Sequence, residues 1–231
     1  MGDGSGRDAG PTGGLLDDLA ARILAASPYR FTLATGARDR SIACRIRADV
    51  SVRAGWVAPG SLPGGLERDE FDDAATHVLG WDGAEPVCTG RLVLPPGPLP
   101  TEAACGLVVE PAGRVVEVGR MAVLPAHQTF GHGVFLALLC RLYLEARSAG
   151  FEFACGMMAA PARSLVARLG LRLEQLGPER AHHGQLRAPV RFALTADAGR
   201  LAERWAAGDQ DGGPSTRQAS IPPKPNEFES T

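Results

Sequence analysis

Residues Val115–Gly150 read VVEVGRMAVLPAHQTFGHGVFLALLCRLYLEARSAG, and the fold turns on this stretch. A β-branched run from Val115 to Val123 ends at Pro125, which predicts a strand. A short loop follows, Gln128-Thr-Phe-Gly131-His132-Gly133. An apolar helix then runs from Gly133 to Ala149, with Leu136, Leu139, Cys140 and Tyr143 on one side and Gly150 as its stop. The glycines let the backbone approach a ligand closely, and the first N–H groups of the helix have no intrahelical acceptor. With the helix dipole behind them, these donors suit a pyrophosphate or phosphopantetheine phosphate.

Outward from this unit, Leu15–Ala26 carries Leu15, Leu16, Leu19, Ile23 and Leu24 at helical spacing, and Tyr29–Thr35 alternates as a strand. Ser41–Trp56 is ambiguous, but Ile42, Ile46, Val50 and Ala54 recur every four residues and favour a helix. Pro and Gly make Ala58–Asp73 irregular. Thr76–Trp81 and Val87–Leu94 are strands, with a Pro-rich linker, Pro95–Pro100, behind them. Downstream lie strand Phe151–Cys155, helix Pro161–Leu169, and strands near Leu171–Leu176 and Val190–Leu194. Strands in a run, then alternating with helices, predict an α+β, three-layer chain with a mixed, mostly antiparallel twisted sheet flanked by helices. Polar, Gly-rich ends at 1–13 and 207–231 read as disordered tails around a single domain at 14–206.

The chain has 231 residues, a formal net charge of −2 and 45% hydrophobic residues, which fits one soluble domain. No apolar run reaches the ~18–20 residues that span a bilayer, and the N-terminus lacks a secretory pattern, so a cytoplasmic protein with no membrane span is expected. The charge offers no global basic field for nucleic acid. Five scattered cysteines without a C-x-x-C pair argue against a disulfide framework or zinc knuckle. His182-His183 before a Gly reads as a surface turn, and no metal site is expected. There is no G-x-x-x-x-G-K-[ST] and no G-x-G-x-x-G after the first strand, which argues against the common nucleotide-binding loops.

Gln128, Gly131 and Gly133, with Val123-Leu124-Pro125 upstream, resemble the Q/R-x-x-G-x-G/A acyl-CoA motif of the GNAT acyltransferases. Cys155–Gly170 resembles that family's following strand and helix. The order R-I-R-A-D-V-S-V-R-A-G-W, E-R-D-E-F-D, G-R-L, V-E-V-G-R is similar to one branch of this fold, the autoinducer (acyl-homoserine-lactone) synthases and the N-acyl amino acid synthases. The matching positions are Arg47 (or Arg45) and Trp56, then Asp69 and Asp72, then Arg91, then Glu117 and Arg120. Ser51 stands where the branch has an aromatic residue, and Gly119 where it has serine.

The resemblance implies a GNAT-like acyltransferase moving an acyl group from acyl-CoA or acyl carrier protein to the primary amine of an amino-acid-like substrate. No permanently bound cofactor is implied; the thioester is a co-substrate, held by Ala122, Val123, Leu124, Gln128, Phe130, Gly131, His132, Gly133 and Val134. An acetyl-CoA-dependent N-acetyltransferase and a non-catalytic thioester- or partner-binding module are the alternatives. Glu117 would be the general base if burial raises its pKa. An N–H near Arg120–Ala122 would stabilise the oxyanion, and water or Tyr143 would protonate the departing thiolate. Arg47, Asp69, Asp72 and Arg91 have two readings, substrate contact or ion pairs locking the loop. Glu117 could likewise pair with Arg120, and Trp56 either packs the loop or stacks on a ligand. Arg141, Arg147, Arg163, Arg168 and Arg172 form a candidate docking face for an acidic carrier protein.

Gly131→Val is expected to abolish binding of a pantetheine thioester, measured by titration calorimetry with acyl-CoA. Unchanged affinity would retire the loop assignment.

Overall fold

A computed structural model of the chain describes residues 14–128, 133–168 and 172–194. Its elements are α1 (Leu15–Ala26), β1 (Arg30–Leu33), α2 (Ala37–Arg53), β2 (Thr76–Asp82), β3 (Glu85–Val93), α3 (Pro100–Cys105), β4 (Val115–Val123), α4 (Gly133–Ser148), β5 (Phe153–Ala159), α5 (Ala160–Arg168), β6 (Glu174–Gln175), β7 (Arg180–His182) and β8 (Gln185–Ala193). The strands form one mixed sheet in the order β1-β2-β3-β4-β5-β8-β6, with β7 also paired to β8. All neighbours are antiparallel except β4 and β5. This is the expected α+β, mostly antiparallel arrangement.

Alternation along the strands sorts the sheet's two faces. Val78, Val87, Leu92, Val116 and Val118 pack with Val134, Leu138 and Leu142 of α4 in the main core. On the opposite face Leu79 and Ala122 meet Ala43 and Ile46 of α2. α2 therefore carries a different buried stripe from the four-residue repeat in the sequence, one that includes Cys44 and Arg47. α4 differs too: its buried face is Val134, Ala137, Leu138, Cys140, Leu142 and Ala146, and Leu136 and Leu139 lie only partly buried. An apolar helix has several candidate stripes, and the sheet selects among them. Gly90 contributes to that selection, because a Cβ there would lie 2.6 Å from Cδ1 of Leu142.

Two short elements went unread in the sequence. Helix α3 follows prolines and has only six residues; Pro100 sits in its first turn, and Glu102 Oε2 accepts the Leu99 N–H at 2.9 Å. The β7–β8 hairpin turns through His183 and Gly184, both at positive φ, as a two-residue hairpin turn requires. Of the strand expected near Leu171–Leu176, Leu171 lies outside the described residues and Glu174–Gln175 are in a strand; β5 begins and ends later than expected. All five cysteines are free, and among the described residues no helix is long and apolar enough to cross a membrane.

One feature of the sheet creates space. β4 and β5 pair only through Val115–Glu117 and Phe153–Cys155, after which β4 stays with β3 and β5 with β8. The two strands fork. At the crotch the backbones are so close that a Cβ on Gly156 would stand 2.5 Å from the Val118 carbonyl oxygen. Gly156→Ala must push the strands apart at that point and is expected to cost about 1–3 kcal/mol, read as a lowered denaturant midpoint. An unchanged midpoint would show that the crotch is not fixed by this contact.

Candidate active site

Beyond the paired segment, β4 departs from regular register against β3: Arg91 faces Gly119 and Thr89 faces Ala122, so one β3 residue opposes two on β4. This bulge carries Arg120 at φ 51°, a left-handed conformation uncommon for a side-chain-bearing residue. The open fork, the bulge, α2, the loop after it and the β7–β8 hairpin enclose a cavity of ≈ 370 Å³. That is within the usual range for small-molecule sites. Arg47, Trp56, Asp69, Arg91, Glu117, Arg120 and Ala122, spread over 76 positions of sequence, all line it.

Most of the cavity's charge is spent within its own wall. Arg47 grips Asp72 with two bonds, 2.9 and 2.7 Å, lies 3.3 Å from Glu67, and donates to the Glu67 carbonyl. Arg91 reaches Asp69 and Asp72, each at 2.6 Å. Arg120 closes the lattice onto Glu67 and Asp69. Three arginines thus meet three carboxylates. Burial alone would raise the Asp72 carboxyl, but the bonds and charge of Arg47, the Asp69 N–H and the charge of Arg91 outweigh it and hold it well below the usual range. Asp69 is lowered too, as Arg91 and Arg120 overcome its burial. Beneath the lattice, buried His77 donates from Nε2 to the Asp72 carbonyl at 3.0 Å, and burial lowers its pKa, so it is neutral. Asp72 itself lies below the cavity wall, which makes it the keystone of the loop.

Glu117 is treated differently. It is 5% exposed, lines the cavity where the strands part, and has no arginine partner among the described residues. Arg120 is turned onto Glu67 and Asp69, so the pairing of Glu117 with Arg120 that the sequence allowed does not form. The Thr101 N–H at the start of α3 donates to Glu117 Oε2 at 2.6 Å. Burial pushes the Glu117 carboxyl up to about 7, against the opposing pull of Thr101, Arg91 and Arg120. A carboxyl poised at neutrality facing a cavity can exchange a proton there.

Other residues fall elsewhere. Tyr143 lies outside the cavity: its hydroxyl donates to Asp17 Oδ1 at 2.5 Å, and its burial beside Asp17 raises its pKa. A role on the departing thiolate does not fit that position. Gln128 donates from Nε2 to the Val123 carbonyl at 2.7 Å, and the Leu124 N–H is taken by the Val87 carbonyl at 2.9 Å. Val134 is buried in the core at the start of α4. Gly133 begins α4, while Phe130, Gly131 and His132 lie outside the described residues. Of the candidate docking arginines, Arg141 pairs with Glu145 and Arg163 with Glu179, both at 2.5 Å, and Arg147 lies 3.5 Å from Asp17. Arg172 is exposed. Among the described side chains these pairs offset the charge of that face; the side chain of Arg168 lies outside them.

The structure also adds residues that sequence reasoning missed. Glu67, Met157, His182, His183 and Arg187 line the cavity, and Thr101 supports Glu117. The hairpin turn at His183-Gly184 was legible, but not its contact: a Cβ on Gly184 would lie 2.5 Å from Cβ of Trp56. Trp56 thus packs under the hairpin, with the Arg187 guanidinium 5.7 Å from its ring centre. Among the described residues no group of three or more His, Cys, Asp or Glu side chains is placed to hold a metal.

The forked mixed sheet with its bulged β4, and α4 packed against it, is the fold of several solved GNAT-type structures, autoinducer synthases among them. No protein-family model and no curated protein matches the chain. Among solved structures it is similar to the AHL synthase LasI (15% identity, TM-score 0.62, covering 75% of this chain and 93% of that one). It is similar also to MesI, a CoA-dependent acyl-homoserine lactone synthase (24%, 0.59, 78% and 95%). A further likeness is to FeeM, an N-acyl amino acid synthase from uncultured soil microbes (17%, 0.52, 75% and 94%).

Asp72→Asn would leave Arg47 and Arg91 without their shared counter-charge, and is expected to cost about 3–5 kcal/mol by urea unfolding at pH 7. Because the folded Asp72 pKa is depressed, its stabilisation is present above the unfolded value of about 4 and is lost as pH falls toward the lowered one. The gap between wild type and variant should therefore stay level above about pH 5 and narrow in acid. A gap independent of pH would show that the ion pairs are not its source.

Proposed function

We propose that the chain is a cytoplasmic N-acyltransferase that moves an acyl group from a pantetheine thioester to the primary amine of an amino-acid-like substrate. The observation that carries this reading is Glu117, a buried carboxyl without an ionic partner, raised to about 7, on the wall of a cavity where β4 and β5 separate. An ammonium substrate cannot attack a thioester until it loses a proton. A carboxylate with a pKa near neutrality is matched to accept it at physiological pH.

The nitrogen then bonds to the thioester carbonyl carbon, and the carbonyl π electrons move to oxygen. The bulge takes Arg120 and Met121 out of register with β3, and in this reading backbone N–H groups there receive the oxyanion. Collapse breaks the C–S bond; Glu117 has by then passed its first proton to solvent and takes the second from the nitrogen, while solvent protonates the thiolate, as Tyr143 is engaged with Asp17. The donor's phosphates belong to the segment Gln128–Val134. Acyl-CoA is the favoured donor over acyl carrier protein, supported by the ion pairs that neutralise two of the candidate docking arginines and by the likeness to MesI, a CoA-dependent synthase.

Glu117→Gln keeps an acceptor for the Thr101 N–H while removing the base. It is expected to lower kcat by about 10²–10⁴, followed by thiol release from acyl-CoA in the presence of amines. In wild type kcat/KM should rise with pH through about 7, the value to which burial lifts the carboxyl; that limb should vanish in the variant and leave the amine's own titration. Activity within a few-fold of wild type would make Glu117 structural.

A further inference from the structure

Helix α3 has six residues, too few to hold a helical shape alone, and it is anchored at both ends. The half-buried Glu102 carboxylate is divided between two segments: Oε2 accepts the Leu99 N–H at 2.9 Å, just before the helix, and Oε1 accepts the Val109 N–H at 2.8 Å, beyond its end. Leu99 and Val109 are sunk in an apolar cluster with Val93 of β3, Val115 of β4 and Cys155 of β5, so this clamp fixes α3 to the sheet. At the other end Arg180 of β7 donates to the Ala104 carbonyl at 2.7 Å. Glu102 itself does not line the cavity. What the clamp holds is the Thr101 N–H, 2.6 Å from Oε2 of Glu117. The two oxygens of Glu117 are thereby made unequal. Oε2 is turned to buried Thr101 and Cys155, whose Sγ lies 3.9 Å away. Oε1 lies toward the cavity wall, where a Cβ on Gly119 would stand 3.9 Å from it. The other groups facing the carboxyl make no bond to it. Arg91 of β3 and Arg120 of β4 favour the anion by charge while bonded to other carboxylates, and Arg47 of α2 is held by Asp72. Cys155 of β5 and Cys105 of α3 are thiols pushed up by burial and stay neutral. His182 and His183 of the hairpin are neutral too, pushed down to about 4 and about 3, chiefly by burial.

We propose that Glu102, outside the cavity, is the positioning residue of the proton transfer: by fixing α3 it keeps Oε2 of Glu117 on the Thr101 N–H and leaves Oε1 as the oxygen that takes the proton. This rests on the acyltransferase reading and specifies how its base is held. The ammonium's N–H bond breaks toward Oε1, its electron pair stays on nitrogen, and Oε2 keeps its donor throughout. A carboxylate with one oxygen pinned has less orientational freedom to lose on the way to transfer. The Thr101 N–H also favours the anion, so a loosened α3 raises the pKa of Glu117, whereas removal of the negative charge of Glu102 by itself would lower it. The two effects have opposite signs, and that separates positioning from charge.

The test uses the full chain and two variants of similar side-chain length: Glu102→Gln keeps one of the two acceptor oxygens, and Glu102→Met keeps neither. In the free protein the Glu117 titration is read from the infrared band of its protonated carboxyl, isolated by difference from Glu117→Gln. In turnover it is read from kcat/KM against pH, with octanoyl-CoA as donor and a panel of primary amines as acceptors. Both midpoints should move up from the wild-type value of about 7. The expected rise is about one pH unit in Glu102→Met and less in Glu102→Gln, in line with losing much of a hydrogen bond to a charged group. KM for octanoyl-CoA should change little, and the deficit in rate at pH 7 should shrink at pH 9. A midpoint that moves down assigns Glu102 a charge effect alone; one that stays put while the denaturant midpoint falls assigns it stability alone. Either result overturns the proposal and leaves the acyltransferase intact. No acylated amine from wild type overturns the acyltransferase reading and with it the role in proton transfer, while the infrared midpoints still report whether Glu102 sets the state of Glu117. If neither variant folds, the amide resonance of Thr101 in nitrogen-15-labelled wild type decides: it should titrate with the infrared midpoint and lose that step in Glu117→Gln. A Thr101 resonance without the step in wild type overturns the proposal.

Discussion

The two-pronged bond between Arg47 and Asp72 is the constraint from which the site is built. Arg47 projects from a helix on one face of the sheet, and Asp72 ends an irregular loop that has few apolar residues to hold it down. Arg47 is 2% exposed and Asp72 equally so. Taking two such charges out of water costs several kcal/mol each, and good geometry with further partners is what offsets it. Those partners are present: Arg91 from β3, the Asp69 N–H at 2.9 Å, and Glu67 on the far side of Arg47. The pair is a weak source of net stability and a strong source of uniqueness, since any other course of the loop strands a buried charge.

From that arrangement the electrostatics of the cavity follow. By consuming one another, three arginines and three carboxylates leave a wall that is nearly neutral, and two residues stand out against it. Glu117 has a backbone donor but no cation, and so is lifted to about 7. Arg187 has an aromatic platform but, among the described residues, no anion. Had Arg120 turned to Glu117, the carboxyl would have been stabilised as the anion and would be a poorer base. Its engagement with Glu67 and Asp69 keeps it away. Gly119, in the place of a serine, adds no hydroxyl beside Glu117, whose Oε1 would lie 3.9 Å from a Cβ at that position.

Much of this was legible in the sequence because local pattern and long-range partner agreed. The strands Thr76–Asp82 and Val115–Val123 and the helix from Gly133 follow from alternation and helical spacing alone. Seven of the spaced site residues meet in one cavity, and nothing local in Arg47 or Asp69 indicates that; the family resemblance supplied the grouping. Helix α3 was hidden because prolines and a six-residue length leave no periodicity to read. The hairpin at His183-Gly184 was read as a turn, as its chemistry dictates, but a turn's sequence does not say what lies beneath it. Trp56, more than a hundred residues earlier, is what brings that turn into the site. Arg187 went unseen for the same reason: in a chain where arginine supplies all but one of the Lys and Arg positions, only the absence of a partner distinguishes it.

The raised pKa of Glu117 carries a stability consequence that bears on its role. A carboxyl whose folded value lies near 7, against about 4.3 in an unfolded chain, binds its proton more tightly when folded; its unfavourable burial is therefore small in acid and grows as pH rises through that interval. A residue chosen only for structure would gain from an arginine neighbour or from replacement by an apolar side chain. Here arginines are close at hand and bound elsewhere, and the sole strong contact is a helix-start N–H that holds the carboxyl in place without fully compensating its charge. The fold thus keeps a destabilising group, orients it, and faces it into a cavity beside forked strands. That combination is what the proposed role of Glu117 in proton transfer requires.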